Sequence, residues 1–412
     1  MTELFAYLKD GRISDIIGAL KCIYGKDALS TLDVHTKLTA LCLTLGLDFN
    51  EFDRLIVENS PVLRPVKGIA FEVAFQRILE SVRVPVQDVG GDGDVDLIIN
   101  GHHAQLKTPN LGGCKGDVLE YKTHKTHGAK SEKESLSYYH SIESFADFFV
   151  GLISYRPFRV FVVPKDMLER VQKDSSRIKS PFKLNASGSC YVNRFDLLGV
   201  NLDNADFSSI YATDDDELLP LTSRATGLKT EIIVDTILRE CNFRIWDMSI
   251  RGFAREIALK KELRAAGIPF VGNPATVRPE RGDKSDLAVL NDRSRSHFIQ
   301  VKGCSVNNCR FDGDMKIATE TQLTRGRVND HPTQSRLYLA SDFDYLALCI
   351  DPPISNRIGL GAGWAFCLIP SSELRRHAKY GNRYASMQTF SKNDILRFRV
   401  GCRGLIQALL ES

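Results

Sequence analysis

The sequence predicts an α/β (α+β) protein in which one type of domain occurs twice, behind a small helical N-terminal region. Three observations predict this class. The chain has 412 residues, of which 43% are hydrophobic and 25% charged, as in globular proteins with buried cores. Helical and strand-like periodicities alternate along the chain. A helix, a glycine-rich turn and two short strands recur in the same order in both halves.

The N-terminal region, residues 1–62, is predicted to be helical. Apolar residues recur at helical spacing in ISDIIGALKCIYG and in HTKLTALCLTLGL, and Asp33 and Asp48 suit cap or turn positions. Pro61 and Pro65 should then end the helical pattern, because proline disrupts a helix interior.

The first repeated domain is assigned to residues 63–222. GIAFEVAFQRILESV is an amphipathic helix, QDVGGDGDVDLIIN is a glycine-rich turn leading into a strand, and HHAQLKT is a short strand. Two apolar, β-rich runs follow, SFADFFVGLISY and FRVFVVP. The segment TDDDELLPLTSRATG, with its acidic run, Pro220 and Gly227, is the best linker candidate.

The second repeated domain, residues 228–412, keeps the same order of segments. Its helix GFAREIALKKELRAAGIPF aligns with GIAFEVAFQRILESVRVPV at a constant offset, which pairs Glu72 with Glu256 and Pro85 with Pro269. Further along, SDFDYLALCI echoes SFADFFVGL, CLIPSSEL echoes FVVPKDML, and MQTFSKNDIL echoes YVNRFDLLGV. Because solenoid units span only about 20–50 residues, the match indicates duplication of a whole domain.

Each copy carries the same ordered set of polar residues. A helix glutamate is followed by an aspartate at the start of a strand, and then by Gln-x-Lys on the next strand. Alternate residues of a strand point to opposite faces, so the glutamine and the lysine share one face while the residue between them enters the core. The two sets are Glu72, Asp96, Gln105 and Lys107, and Glu256, Asp286, Gln300 and Lys302.

These residue types suit metal-dependent hydrolysis of a phosphodiester. Such hydrolysis needs an activated water and neutralisation of phosphate charge, which one or two divalent ions supply. Magnesium prefers oxygen ligands and needs only one or two carboxylates. The predicted metal ligands are Asp96 and Gln105 in the first copy and Asp286 and Gln300 in the second. The lysines would orient the water or stabilise negative charge, and the glutamates would add a second carboxylate.

The ordered set resembles the PD-(D/E)XK nuclease superfamily, which includes many restriction endonucleases. The first copy, with FE on its helix, GDGDVDLII and QLK, is similar to the Mrr-like branch, in which glutamine commonly replaces the acidic residue before x-Lys. The second copy, with SDLAVL and FIQVKG, has the same character, although neither has the proline of the motif's name. The resemblance covers about residues 65–165 and 250–350. It implies two tandem restriction-endonuclease-like domains, each a central mixed sheet flanked by helices, with Mg²⁺ as cofactor and Mn²⁺ as a substitute.

The predicted function is therefore a magnesium-dependent endonuclease that hydrolyses phosphodiester bonds in double-stranded DNA, as a type II restriction endonuclease with two active sites in one chain. The chain would act as a monomeric pseudo-dimer or as a homodimer, and a cognate methyltransferase would be a separate protein. Alternatives remain open. They are an Mrr-like modification-dependent (type IV) nuclease, a structure-specific repair or recombination nuclease, and a DNA-binding protein in which one or both nuclease folds are inactive.

Basic residues follow the Gln-x-Lys strand in both copies and are the predicted DNA-binding residues. In CKGDVLEYKTHKTHGAKSEK these are Lys115, Lys122, Lys125 and Lys130, and in TQLTRGRVNDHPTQSR they are Arg325 and Arg327. Contact with DNA phosphates is one interpretation of these segments, and a solvated loop is the other.

Other features of the sequence bound the class of function. The net charge of +3 neither demands nor excludes a nucleic-acid partner, because binding needs only a local basic surface. No G-x-x-x-x-G-K-[ST] motif is present, so no nucleotide cofactor is expected. The sequence has no run of about 18 apolar residues, so no membrane partner is expected. The ten scattered cysteines and the N-terminus without a signal pattern indicate a cytoplasmic protein with reduced thiols.

Overall fold

The computed structural model combines helices with mixed and antiparallel sheets. Its described residues are 8, 12–89, 94–123, 139–213, 218–239, 243–279, 284–290, 296–304, 306–311, 313–323, 336–361 and 363–399. The α-helices are α1 (Ile13–Tyr24), α2 (Ala28–Thr31), α3 (Val34–Leu45), α4 (Phe49–Glu58), α5 (Ser60–Ser81), α6 (Pro220–Thr226), α7 (Thr230–Leu238), α8 (Phe243–Ala265), α9 (Pro352–Arg357) and α10 (Lys392–Phe398). The strands of the first half are β1 (Val86–Asp88), β2 (Leu97–Ile99), β3 (His102–Lys107), β4 (Val118–Tyr121), β5 (Phe148–Ser154), β6 (Arg159–Pro164), β7 (Arg170–Val171), β8 (Asp174–Ile178) and β9 (Phe182–Asn185). The strands of the second half are β10 (Phe270–Val271), β11 (Leu287–Leu290), β12 (Ser296–Gly303), β13 (Lys316–Glu320), β14 (Tyr345–Ile350), β15 (Ala365–Pro370) and β16 (Met387–Ser391).

The chain divides into two compact units, each containing one copy of the repeat. The first unit comprises the described residues of Leu32–Lys37 and Phe49–Trp246. The second unit comprises those of Met1–Thr31, Leu38–Asp48 and Asp247–Ser412. The N-terminal helices are thus distributed over both units rather than set apart, while the predicted boundaries of the repeated domains stay a prediction.

The described part of the N-terminal region is mainly helical as predicted, but its prolines do not end the helical pattern. α5 runs from Ser60 to Ser81 and contains both Pro61 and Pro65. Pro61 lies in the first turn, where the missing N–H would have no partner within the helix. Pro65 leaves one main-chain hydrogen bond unmade in a long helix whose apolar side is fully buried. We infer that this packing outweighs the local cost of Pro65.

Within the predicted linker, residues 220–226 form α6. The first amides of α6 are bound by the buried carboxylate of Asp53 on α4, which accepts from Leu221 N at 2.7 Å and from Thr222 N at 2.8 Å. A carboxylate at a helix N-terminus satisfies free amides and interacts favourably with the helix dipole. Gly227, with φ of +79°, ends the helix in the left-handed conformation.

Each unit is built around a five-stranded mixed sheet, and the two sheets have the same topology. The strand order is β1-β2-β3-β5-β6 in the first unit and β10-β11-β12-β14-β15 in the second. Only the third and fourth strands of each sheet, β3 with β5 and β12 with β14, pair in parallel. The prediction of an α+β protein with two sheet-containing domains is therefore confirmed.

Two of the three sequence echoes also correspond in structure. Asp147 and Asp344 each lie directly before the fourth strand of their sheet, where the carboxylate accepts a main-chain N–H from the third strand. The donors are His103 N at 3.0 Å and Phe298 N at 2.8 Å. In the other echo, β6 and β15 both end at a proline and continue into a short 3₁₀ turn.

The third echo, between YVNRFDLLGV and MQTFSKNDIL, is wrong. β16, which begins at Met387, forms an antiparallel pair with β13. The corresponding pair in the first unit is β4 with β9, so β16 corresponds to β9 and not to residues 191–200. Val192 instead contacts β6 at Phe161, just as Arg399 contacts β15 at Cys367. The sequence match is out of register because short apolar patterns do not reveal which strands are neighbours.

In the second unit the sheet buries apolar side chains on both faces. Ile299 and Val301 pack with residues of α8, and Phe298 packs in a separate cluster with β13, β16 and α10. Alternation along β12 therefore separates Val301 from its polar neighbours, as the Gln-x-Lys spacing predicts. Among the helices that the structure describes, none has both the length and the apolar character needed to cross a membrane.

Candidate active sites

The aspartate of the first set is fixed against the Gln-x-Lys strand. Asp96 directly precedes β2, and its N–H donates to Ala104 O at 2.9 Å. Its Oδ2 accepts from Leu106 N at 2.7 Å and lies 3.3 Å from Lys107 Nζ. The Asp96 side chain is 9% exposed and that of Lys107 27% exposed. The carboxylate is therefore buried, while the lysine that it contacts still reaches solvent.

The aspartate of the second set makes the same two main-chain contacts. Asp286 N donates to Ile299 O at 2.9 Å, and Asp286 Oδ2 accepts from Val301 N at 2.7 Å. The side-chain amide of Gln300 also donates to Asp286 Oδ2 and lies 3.3 Å from Val301 O. The two sets thus share the geometry of the aspartate and differ in the side chain that binds it.

The helix glutamate of the first set lies close enough to Asp96 for the two carboxylates to interact. Burial raises the pKa of Glu72 to about 7, and the negative charge of Asp96 adds to this effect. Arg239 and Lys107 oppose the rise in pKa, and Arg239 Nη1 donates to Glu72 Oε2 at 2.8 Å. A glutamate with this pKa holds a proton readily near neutral pH in the ion-free protein.

The helix glutamate of the second set is perturbed in the same direction. Burial raises the pKa of Glu256 to about 7, and Asp286 adds to it. Here the opposing cations are Lys260, on the same helix at 3.3 Å from Glu256 Oε2, and Lys302. Each unit therefore brings together two interacting carboxylates and the lysine of Gln-x-Lys, and the second unit adds Lys260.

The lysine of the second set is held differently from that of the first. Its Nζ lies 5.4 Å from the centroid of the Tyr338 ring, within the range of a cation–π interaction. Burial lowers the pKa of Lys302, whereas the carboxylates of Asp286 and Glu256 oppose this effect. Burial also raises the pKa of Asp286, against the influence of Lys302.

Gln105 provides a direct test of whether the first set suits a metal ion. Its side chain is buried, and its Oε1 has no hydrogen-bond partner. A buried carbonyl oxygen without a partner costs free energy, which a hard cation would recover. Across the described ranges, no three His, Cys, Asp or Glu side chains form a group that could hold a metal ion. A bound ion would therefore use amide or main-chain oxygens beside the two carboxylates.

Two of the predicted DNA-binding residues fall within the described part of the chain. Lys115 and Lys122 are both exposed and flank β4 in the first unit. The other predicted residues lie outside the described residues: Lys125, Lys130, Arg325 and Arg327.

Several residues around the two sets were not predicted from the sequence. Arg239 reaches Glu72 from a segment that the sequence-based boundaries place in the second domain. Asp351 binds Arg255, which precedes Glu256 on α8, and Arg255 packs against Gly303. Asp147 and Asp344, before β5 and β14, could have been found from the sequence, because they occupy the same place in SFADFFVGL and SDFDYLALCI. No sequence pattern marks Arg239.

Comparison with known proteins adds no relative. No protein-family model, no curated protein and no solved structure significantly matches this chain. The resemblance to PD-(D/E)XK nucleases therefore stays a prediction, carried by the two residue sets.

Proposed function

We propose that this chain is a metal-dependent endonuclease that cuts double-stranded DNA, with one active site in each unit. One observation carries the proposal. Asp96 and Asp286 are fixed by the same pair of main-chain hydrogen bonds to the Gln-x-Lys strand, on sheets of the same topology. A buried glutamate with a raised pKa accompanies each aspartate. The shared contacts support a common role for the two sets.

The donor set suits Mg²⁺, with Mn²⁺ as a substitute. Asp96 and Gln105 would hold the ion in the first site, and Asp286 and Gln300 in the second. Glu72 and Glu256 supply a second carboxylate, whose repulsion from the aspartate a divalent cation would relieve. A bound ion would lower the pKa of a water molecule and neutralise charge on the phosphate.

The lysines act on the charge that develops during hydrolysis. A water oxygen forms a bond to phosphorus and loses a proton to the solvent, the ester P–O bond breaks, and the leaving oxygen takes up a proton. Lys107, held 3.3 Å from Asp96, would stabilise negative charge on the phosphate oxygens. Lys302, which interacts with the carboxylates of Asp286 and Glu256, would act on the same negative charge in the second site.

The test is alanine substitution of the two lysines, separately, followed by incubation with supercoiled plasmid and Mg²⁺. The wild-type protein should linearise the plasmid, whereas K107A and K302A should each stop at nicked circles. Lys37→Ala is a matched control, because Lys37 is a buried lysine paired with a carboxylate, Asp235, outside both sets. If one variant linearises at the wild-type rate, its unit is not catalytic. If both do, the proposal fails.

The narrower proposal is a type II restriction endonuclease, with the cognate methyltransferase as a separate protein. Digestion of methylated and unmethylated plasmid, with sequencing of the fragment ends, tests it. A single recurrent sequence at the ends supports the proposal. Cleavage restricted to methylated DNA would instead support the type IV alternative.

A further inference from the structure

Arg239 connects three elements of the first unit at the point where the first site is built. It follows α7, and its guanidinium contacts two carboxylates. Nη1 donates to Glu72 Oε2 on α5 at 2.8 Å, and Nε donates to Asp88 Oδ2 on β1 at 2.6 Å. Its side chain is only 11% exposed. A partly buried arginine bound by two carboxylates has little freedom to move, so it fixes the groups that it contacts.

Both of these contacts adjoin the proposed site. Asp88 pairs across β1 and β2 with Leu97, the residue that follows Asp96. Glu72 is the glutamate of the first set, and Arg239 uses its Oε2. Arg239 thereby ties the helix that carries one site carboxylate to the strand pair that carries the other.

The second unit achieves the corresponding contact by a local route. There the cation on the helix glutamate is Lys260, four residues after Glu256 on the same helix. An i,i+4 pair holds the glutamate only relative to its own helix. The cation that hydrogen-bonds Glu72 therefore comes from another element, whereas the cation that hydrogen-bonds Glu256 comes from its own helix.

We propose that Arg239 is a positioning residue of the first site, which holds the Glu72 carboxylate in place for a divalent cation bound beside Asp96. This inference rests on the proposed nuclease function. Partners that orient metal ligands typically affect metal affinity or activity by about 10- to 100-fold when removed. Because each site is proposed to cut one strand, loss of Arg239 should impair the cutting of only one strand of the DNA.

The test introduces Arg239→Ala into the two single-site proteins. In the K302A background, where only the first site works, R239A should raise the Mg²⁺ concentration for half-maximal nicking by about 10-fold or more. In the K107A background the same substitution should leave nicking unchanged. R239K should restore part of the affinity, because it keeps the charge.

Arg77→Ala is the matched control. Arg77 pairs with Asp235, so this ion pair joins the same two helices, α5 and α7, without touching Glu72. R77A should leave the Mg²⁺ dependence of both sites unchanged. If R77A acts like R239A, or if R239A weakens both sites equally, Arg239 has only a structural role and the proposal is overturned.

Calorimetric titration with Mn²⁺, without DNA, provides a readout that is independent of cutting. R239A should weaken one binding event and leave the other at its wild-type affinity. Wild-type binding isotherms for R239A would overturn the proposal even if the nuclease function stands. Absence of cutting by the wild-type protein would overturn the nuclease function, while the Mn²⁺ titration would still report on Arg239. If R239A fails to fold, R239Q replaces it in both measurements.

Discussion

The two units have the same sheet, the same aspartate geometry and different side chains around them. In the first unit Asp96 contacts Lys107, and Arg239, which follows α7, binds Glu72. In the second, Asp286 contacts Gln300, and the lysine lies over the ring of Tyr338. The contacts that are shared involve main-chain N–H groups, which every residue type except proline supplies. Those that differ involve side chains, so the geometry of the aspartate can persist while its surroundings change.

A buried ionic cluster distinguishes the second unit further. Arg255 packs so closely on Gly303 that a Cβ added there would lie 1.9 Å from the guanidinium carbon. The first unit has Thr108 at the corresponding place after Gln-x-Lys. A side chain at position 303 would therefore displace the Arg255 guanidinium, a constraint that comes from the environment of the second site and not from the shared chemistry.

The largest stability difference between the units should come from Asp351. This carboxylate is 3% exposed and binds both Arg251 and Arg255. Burial alone would raise the pKa of Asp351, but the two arginines outweigh burial and lower it to about 2. Asp351→Asn leaves two buried guanidinium groups without their counter-charge, so we expect a loss of about 3–5 kcal/mol in the free energy of unfolding. Urea denaturation of the wild-type protein and the variant measures this loss.

Asp235 is the matched carboxylate of the first unit, because it also binds two cations, Lys37 and Arg77. It is 25% exposed, so solvent screens its charge. Asp235→Asn should therefore cost less than Asp351→Asn, about 1–3 kcal/mol, because only Lys37 of its two partners is buried. Equal losses for the two variants would show that burial does not distinguish the clusters.

A smaller effect is expected from the helix glutamates. The pKa of Glu256 rises from 4.5 to about 7, so its contribution to stability is complete below pH 4.5 and is lost as the pH rises to about 7. Glu256→Gln removes this titration. Between about pH 5 and pH 8, the ion-free wild-type protein should lose about 1–3 kcal/mol more than E256Q.

Unfolding in urea with a chelator at several pH values checks this expectation, and Glu72→Gln is the counterpart in the first unit. The pKa of Glu72 also rises to about 7, so a similar difference is expected there. Restoring Mg²⁺ should reduce the pH dependence of the wild-type protein, because a bound cation favours the ionised carboxylates. A wild-type curve parallel to that of E256Q would contradict the burial of Glu256.

The smallest effect concerns the exposed lysines that flank β4. Lys115→Ala and Lys122→Ala should each weaken DNA binding uniformly across sequences and reduce the slope of log affinity against log salt by about 1. Fluorescence anisotropy in Ca²⁺ at several salt concentrations measures it. Lys26, an exposed lysine of the second unit, is the control. An unchanged salt slope would remove these lysines from the DNA interface.

Much of the fold was predictable because local patterns determine it. The helices that carry Glu72 and Glu256, and the strands that carry Gln-x-Lys, follow directly from the apolar periodicity. The helix end at Pro65 was mispredicted, and the helix at 220–226 was not predicted, because tertiary packing determines both. α5 is held by its buried face, and α6 is capped by Asp53, which is distant in sequence.

The candidate sites were predictable only in their inner residues. Glu72 and Asp96 stand out because the same pattern occurs twice. Arg239, Asp351 and Tyr338 occur outside the repeated pattern, and their contacts depend on which elements become neighbours. A single sequence carries no signal for such contacts, since any arginine after a helix looks equally suitable.

The division of the N-terminal helices between the units has a consequence for synthesis on the ribosome. α1 is made well before two of its partners, because Ile13 N donates to Asp247 Oδ1 at 2.9 Å and Arg12 Nη2 to Asn307 Oδ1 at 2.6 Å. The continuous stretch Phe49–Trp246 emerges before either partner exists. We expect the first unit to fold during translation. α1, in contrast, can make its contacts with Asp247 and Asn307 only after more than half of the chain has been synthesised. That interval is when a nascent chain most needs a chaperone.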